Sequence, residues 1–254
     1  MLSPAPAVEF RSLSVRYGTV TALEDAAARA ARGSLVCLVG LNGSGKSTLL
    51  KALVGMVPAS GEVAINGISG PERRRQIAYV PQREAVEWDF PISVLEVVLL
   101  GRRAHLGRIG WSGAGDRRSA GDALERLGLT DLSRRSISAL SGGQQQRVML
   151  ARAFHSRASV MLLDEPLNGV DPGTRQLVLD LLRDHCRNGG TVLMATHDLV
   201  DSAEIADRIW GINGTVVADL PPAELLEEPA LRKIYGDSLL VLPGGRLALG
   251  DQTP

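Results

Sequence analysis

Gly40-Leu41-Asn42-Gly43-Ser44-Gly45-Lys46-Ser47-Thr48 has the form G-x-x-x-x-G-K-[ST], and its flanks decide how it is read. Ahead of it runs Leu35-Val36-Cys37-Leu38-Val39, a continuous apolar stretch of the length of a buried strand. Behind it, Thr48-Leu49-Leu50-Lys51-Ala52-Leu53 reads as the helix that leaves the loop. A glycine-rich turn that merely precedes a lysine lacks this strand, loop and helix frame. The chemistry of a triphosphate asks for these residue types. Glycines let backbone N–H groups wrap the phosphates, and the helix start adds unpaired amides and the positive end of its dipole. Lys46 supplies a mobile point charge for the β- and γ-phosphates, and the Ser47 hydroxyl is placed to hold Mg²⁺.

Composition narrows the partners. The chain has 254 residues, 44% of them hydrophobic, which is enough for a substantial core. Lys+Arg and Asp+Glu number 28 each, so the formal charge is zero, and nucleic acid is disfavoured as a main partner because a polyanion binder carries a basic excess. Only Lys46, Lys51 and Lys233 are lysines, so nearly all the positive charge is arginine. No apolar run approaches the ~20 residues of a membrane span, and the N-terminus lacks a basic-then-apolar signal segment, so a cytosolic chain is expected. Cys37 and Cys186, with no C-x-x-C spacing, read as packing residues of a reducing compartment.

Upstream of the loop, Val8 to Tyr17 alternates with Val8, Phe10, Leu13 and Val15 apolar, and Ala22 to Ala30 is similar, which predicts two antiparallel strands. Tyr17 is either a core aromatic or a ring that stacks on an adenine, and the pattern leaves both open. Downstream, Gly61 to Gly67 and Ile77 to Val80 read as short strands. Gln82 follows the second, at a carboxyl strand end where sheet proteins of this kind place ligand-facing groups. Between Val86 and Ile137 the pattern turns helical: Ser93-Val94-Leu95-Glu96 is a capping box opening Val94 to Leu100 with Gly101 as its stop, and Asp116 to Leu127 forms a second helix ending at Gly128. Arg102 to Gly115, rich in Gly and Arg, suits an exposed loop.

Leu140-Ser141-Gly142-Gly143-Gln144 then precedes a helix over Val148 to His155. Val160-Met161-Leu162-Leu163 is a continuous apolar strand that ends in the two carboxylates of Asp164-Glu165-Pro166. Asp171-Pro172 gives an N-cap and an N1 proline to a helix whose apolar face is Leu177, Val178, Leu181 and Leu182. Thr191 to Thr196 is the next buried strand and ends at His197-Asp198. A helix over Leu199 to Ala206 and a hairpin turned by Asn213-Gly214 follow, and from Pro221 a short helix and a tail remain.

Taken in order, Gly40–Thr48, Leu140–Gln144, Leu163-Asp164-Glu165-Pro166 and Thr196-His197-Asp198 resemble the phosphate loop, signature motif, acidic strand end and switch histidine of an ABC-type ATPase, over nearly the whole chain. The resemblance implies an α/β fold: a P-loop NTPase core with an antiparallel β subdomain (1–85 and 139–225), an inserted helical subdomain (86–138) and a C-terminal tail (226–254). It implies ATP and Mg²⁺ as ligands, with Gly40, Asn42, Gly43, Ser44, Gly45, Lys46, Ser47 and Thr48 around the phosphates and Tyr17 beside the base. Asp164, Ser47 and Gln82 would attend the metal, Glu165 would orient or deprotonate water, and His197 would reach the γ-phosphate. Ser141, Gly142, Gly143 and Gln144, with Asp171, would serve the ATP of a second copy of this chain, so the working unit is expected to be a homodimer. One departure is visible: where the family usually has S-A-L-D, this chain has Asn168-Gly169-Val170-Asp171.

Val80-Pro81-Gln82-Arg83 followed by Trp88-Asp89-Phe90-Pro91 further resembles the group of such ATPases that energises manganese, zinc or iron import. The group implies a polytopic membrane permease as partner, an extracytoplasmic metal-binding protein indirectly, and a place on the cytoplasmic face of the bacterial membrane. Trp88 and Phe90 are either docking groups for that permease or core aromatics, and the ordered match favours docking. His105, His155, His185 and His197 are scattered, so recognition of the ion is expected elsewhere. An ABC ATPase acting on ribosomes or DNA is the alternative; such proteins carry paired cassettes or long coiled-coil insertions, and this chain shows neither.

Overall fold

The computed structural model describes residues 5–102, 113–242 and 246–249. Alternation in the N-terminal segment yields β1 (Val8–Tyr17) and β2 (Val20–Ala30), an antiparallel pair. The spacing of Val8, Phe10, Leu13 and Val15 is two, three and two residues, yet all four are buried. A bulge at Ser12, whose φ is 48°, absorbs the extra residue and returns Leu13 to the inner face. β3 (Leu35–Val39) and α1 (Lys46–Val54) bracket the glycine-rich loop, and α1 begins two residues before the expected Thr48. β4 (Ser60–Ile65) and β5 (Ile68–Ser69) complete a four-stranded antiparallel sheet in the order β2-β1-β4-β5. Gly61 is obligatory beside the bulge, because a Cβ there would lie 2.3 Å from the Ser12 carbonyl oxygen.

After β6 (Ile77–Val80) come α2 (Val94–Leu99), α3 (Ala114–Arg126) and α4 (Gly142–Ser156), then β7 (Val160–Asp164). The capping box at α2 is present: the Glu96 amide donates to Ser93 Oγ, and Glu96 Oε2 accepts from the Ser93 amide. Gly101 does not stop α2; the chain continues in a 3₁₀ turn over Leu100–Arg102. Its glycine is needed for contact, since a Cβ would lie 2.3 Å from the Arg152 carbonyl of α4. The expected Arg102–Gly115 loop falls mostly on residues 103–112, outside the described ones.

α5 (Pro172–Arg187), β8 (Thr191–Ala195), α6 (Leu199–Ile205), β9 (Arg208–Ile212) and β10 (Val216–Leu220) follow, and β10-β9-β3-β8-β7-β6 form the central sheet. Its strands are parallel except for the edge strand β10. Every residue of β3, β7 and β8 is buried, as for strands covered on both faces. Leu35, Cys37 and Val39 enter a core with α4 and α5, whereas Val36 and Leu38 enter a second core with α1 and the antiparallel sheet. Phe10 and Trp210, edge to face at 5.7 Å, join the two sheets in that second core. Cys37 and Cys186 are buried and free. On α5 the buried face is Val178, Leu179, Leu181 and Leu182; Leu177, expected inside, lies outside this arc and is exposed. From the segment read as a tail, α7 (Glu228–Tyr235) packs Ile234 against Gly211, and β11 (Leu239–Leu242) pairs with β12 (Arg246–Leu249).

Because the central strands run parallel, their carboxyl ends share one edge. Gly40 follows β3, Gln82 follows β6, Glu165 follows β7 and His197 follows β8, so the fold brings all four segments to that edge.

Candidate active site

The phosphate loop is held open by tight backbone geometry. A Cβ on Gly40 would lie 2.2 Å from the Ile212 carbonyl oxygen, which explains the glycine where the chain leaves β3. Gly45 caps α1 in the left-handed region at φ 106° with no side-chain hydrogen bond, so the first-turn amides keep no side-chain partner. Lys46 is 5% exposed and its Nζ donates to the Gly40 and Leu41 carbonyls, each at 2.8 Å. Burial lowers its pKa, against the pull of Glu165 and Asp164. Ser44 Oγ is buried without a partner among the described residues, an orphan that a phosphate oxygen would satisfy.

Across the edge, β7 ends at Asp164, 1% exposed, whose Oδ1 accepts from Ser47 Oγ at 2.9 Å. Burial pushes the Asp164 carboxyl above its ordinary range, and the Ser47 hydrogen bond opposes it. A hydroxyl and a carboxylate in contact, with Gln82 lining the same cavity as Ser47, are hard oxygen donors of the kind Mg²⁺ takes, so this donor set fits that ion. Glu165 lies one residue past the strand, at φ 50°, with its N–H donating to the Ala195 carbonyl at 3.0 Å. That left-handed turn carries its side chain out of the strand alternation. Glu165 and Gln82 line a cavity of about 270 Å³ with Asn42, Gly43, Gly45, Lys46, Ser47 and Thr48.

Two expected residues stand apart from this cavity. His197 is exposed just beyond β8 and does not line it. Tyr17, at the end of β1, is 47% exposed, which removes the core reading and leaves the ring available for stacking.

The signature segment occupies a different place. Helix α4 starts at Gly142, six residues before the expected Val148, so the motif is itself the helix's first turn. The Ser141 amide donates to Gln144 Oε1 at 3.0 Å and the Gln144 amide to Ser141 Oγ at 3.4 Å, a reciprocal cap. Gly142 and Gly143 line a separate cavity of about 290 Å³, and none of Ser141–Gln144 reaches the phosphate-loop cavity. Gln82 and Glu165 border both. Asp171 caps α5 by accepting from the Thr174 amide at 3.0 Å, and hydrogen bonding at Thr174 holds its pKa below the ordinary carboxylate range.

The sequence profile of the family described as ABC transporter matches residues 23–168, more than half of the chain and the stretch that holds the phosphate loop, signature and acidic strand end. The chain belongs to the ABC transporter family. It is 42% identical over 233 residues to the zinc transport system ATP-binding protein TroB of Treponema pallidum, covering 91% of this chain and 88% of that one. It is 40% identical over 244 residues to the manganese transport system ATP-binding protein MntB of Bacillus subtilis, covering 96% and 98%. Among solved structures it matches a dimeric, post-hydrolysis ATP-binding cassette bound to ADP and Pi, with a TM-score of 0.75 and 27% identity over 85% of this chain and 98% of that one.

Against the family's pattern, residues to which the sequence reading gave no role in the site also enter it. Arg83 lies over Gly142 and its Nε donates to Gln145 Oε1 at 3.3 Å. Gln146, 1% exposed with neither amide atom partnered among the described residues, lines the signature-side cavity. Arg175 on α5 bridges Asp198 and Asp201, tying the helix capped by Asp171 to the turn after His197. Each contact is long-range, so no local spacing announces it. The two aromatics of the Trp88–Phe90 segment separate: Trp88 packs partly into the core with Nε1 donating to the Arg83 carbonyl at 3.1 Å, while Phe90 is 65% exposed. Among the described residues no helix is long and apolar enough to cross a membrane.

Proposed function

We propose that this chain is the ATP-hydrolysing, energy-coupling subunit of a bacterial ABC importer of divalent metal ions, with manganese the first candidate and zinc or iron the others. The observation that carries it is the contact of Ser47 with Asp164 across the sheet edge, with Glu165 and Lys46 bordering one cavity. The manganese and zinc transport ATP-binding relatives support the cargo. In this reading 1–85 and 139–225 form the ATP-binding core, 86–138 the helical subdomain and 226–254 the C-terminal segment.

The loop amides and Lys46 hold the β- and γ-phosphates and offset charge as the γ-phosphoryl group leaves ADP. Glu165 orients a water in line and accepts its proton as the new P–O bond forms and the bridging bond breaks. Ser47, Asp164 and Gln82 would hold Mg²⁺, which when bound neutralises phosphate charge. His197 would reach the γ-phosphate, and Tyr17 would stack on the base. Ser141–Gln144 and Asp171 would complete the site of a second copy, which accords with their place outside this chain's own phosphate cavity and with the dimeric cassette. A polytopic permease would dock against the segment bearing exposed Phe90 on the cytoplasmic membrane face, and an extracytoplasmic metal-binding protein would deliver the ion.

Glu165→Gln tests this. It keeps size and hydrogen bonding but removes the basic oxygen, so it should bind Mg-ATP normally, turn over at least about 100-fold more slowly and elute as an ATP-dependent dimer. Ser141→Arg in the same background should abolish the dimer. Wild-type turnover by Glu165→Gln, alone and with the permease, rejects Glu165 as the base. Uptake of Mn²⁺ against Zn²⁺ by the reconstituted complex decides the cargo.

A further inference from the structure

We propose that Asn168 is a positioning residue that holds the Glu165 carboxylate for attack; this rests on the reading of Glu165 as base. Asn168 Nδ2 donates to Glu165 Oε2. The same two residues close a turn through the backbone, the Asn168 amide donating to the Glu165 carbonyl at 3.3 Å, and buried Leu167 anchors the turn in the core. The turn is also seated against α4: the Gly169 carbonyl oxygen lies 3.0 Å from where a Cβ on Gly143 would stand. Asn168, itself exposed, is placed by its own turn, and its side-chain amide reaches back to one carboxylate oxygen. No other protein donor reaches the Glu165 carboxylate among the described residues.

A glutamate side chain has three rotatable bonds, and one at the mouth of two cavities has many rotamers to choose from. The amide at 168 selects one by holding Oε2, while Oε1 has no protein donor among the described residues. Serine, usual at this position in the family, is shorter and has a single hydroxyl. The segment that departs from S-A-L-D thus carries its own device for orienting the base.

The test uses the full chain, measuring steady-state ATP hydrolysis, fluorescent-ATP binding and thermal melting in parallel. Asn168→Ala should lower kcat about tenfold with KM for ATP within about twofold, because only orientation is lost. Asn168→Ser, which retains a donor, should recover part of the loss. Asn168→Asp, of nearly the same size, exchanges the donor for an acceptor, so it should lose at least as much kcat as Asn168→Ala while melting like the wild type, a result that loosened packing would not produce. In the Glu165→Gln background, Asn168→Ala should add nothing to the residual rate. If Glu165→Gln is inactive while Asn168→Ala and Asn168→Asp keep the wild-type kcat, the proposal alone is overturned. A kcat loss in Asn168→Ala matched by lost ATP binding or a collapsed melt also overturns it. Full turnover by Glu165→Gln instead removes the reading on which it rests.

Discussion

Two helices of this chain begin on glycine-rich segments, and their first turns are treated in opposite ways. At α1 the cap is Gly45 with no side chain to offer, Lys46 turns back onto two carbonyls, and Ser44 Oγ is buried and orphaned. At α4 the Ser141 and Gln144 amides are met by the reciprocal bonds of those two residues. The first turn of α1 thus has no side-chain cap, while that of α4 carries one which satisfies two of its amides. A site that must grip phosphate tightly within one chain gains by leaving donors unpaired. One that meets its ligand only when a second chain brings it must be stable while it waits.

The sharpest way to break this contrast is Lys46→Ala. ATP hydrolysis should be abolished and binding weakened by about 100-fold or more, read by fluorescent-nucleotide titration. Ordinary turnover in that variant would take the phosphate loop out of the mechanism. Next in size is Gly40→Ala, where the new Cβ meets the Ile212 carbonyl at 2.2 Å. Because backbone has to move, a loss of about 3 kcal/mol in denaturant unfolding is expected.

Asp164→Asn should raise stability while ending hydrolysis. The folded pKa of Asp164 is raised by burial, so the folded chain holds that proton more tightly than the unfolded one. Stability therefore falls as pH rises from the unfolded carboxylate value through the folded one, and the penalty is complete above it. Removing the charge should stabilise the fold at pH 7 and do little near pH 3, which melts at both values would show. A variant less stable at pH 7 would contradict the account of Asp164 as an energetic cost retained for function.

The smallest effect belongs to α4. Ser141→Ala removes one cap and should lower stability by about 1 kcal/mol, with ATP binding to the single chain unchanged. If single-chain binding fell as well, Ser141 would belong to this chain's own site and the two helix starts would not differ as described.

Much of this was legible in order along the chain. The apolar runs of β3, β7 and β8 are readable because parallel strands buried on both faces leave polar residues only at their ends, here Asp164 and Thr191. The caps of α2 and α5 could be read because a cap is a contact within three residues. The start of α4 was harder: Gly142 and Gly143 read as a loop by propensity, yet the Ser141–Gln144 cap and packing of Val148 and Leu150 hold them helical. Leu177 was misplaced by one position on the helical wheel, since the buried arc of α5 is set by the sheet it covers. Gly101 looked like a helix stop because its true constraint, the Arg152 carbonyl, lies 51 positions away.

By itself, then, the sequence determined the α/β class, the phosphate loop and the identity of the groups at each strand end, because those follow from short-range periodicity and from chemistry that only certain residues can perform. Tertiary structure alone decided that Ser47 meets Asp164, that the signature helix stays out of its own chain's phosphate cavity, that Trp88 turns inward while Phe90 faces out, and that Asn168 reaches Glu165. The physical reason is one of range. Propensities and caps act over three or four residues, but which donor reaches which acceptor depends on strand order, backbone bends and the packing of distant carbonyls, none of which has a local trace.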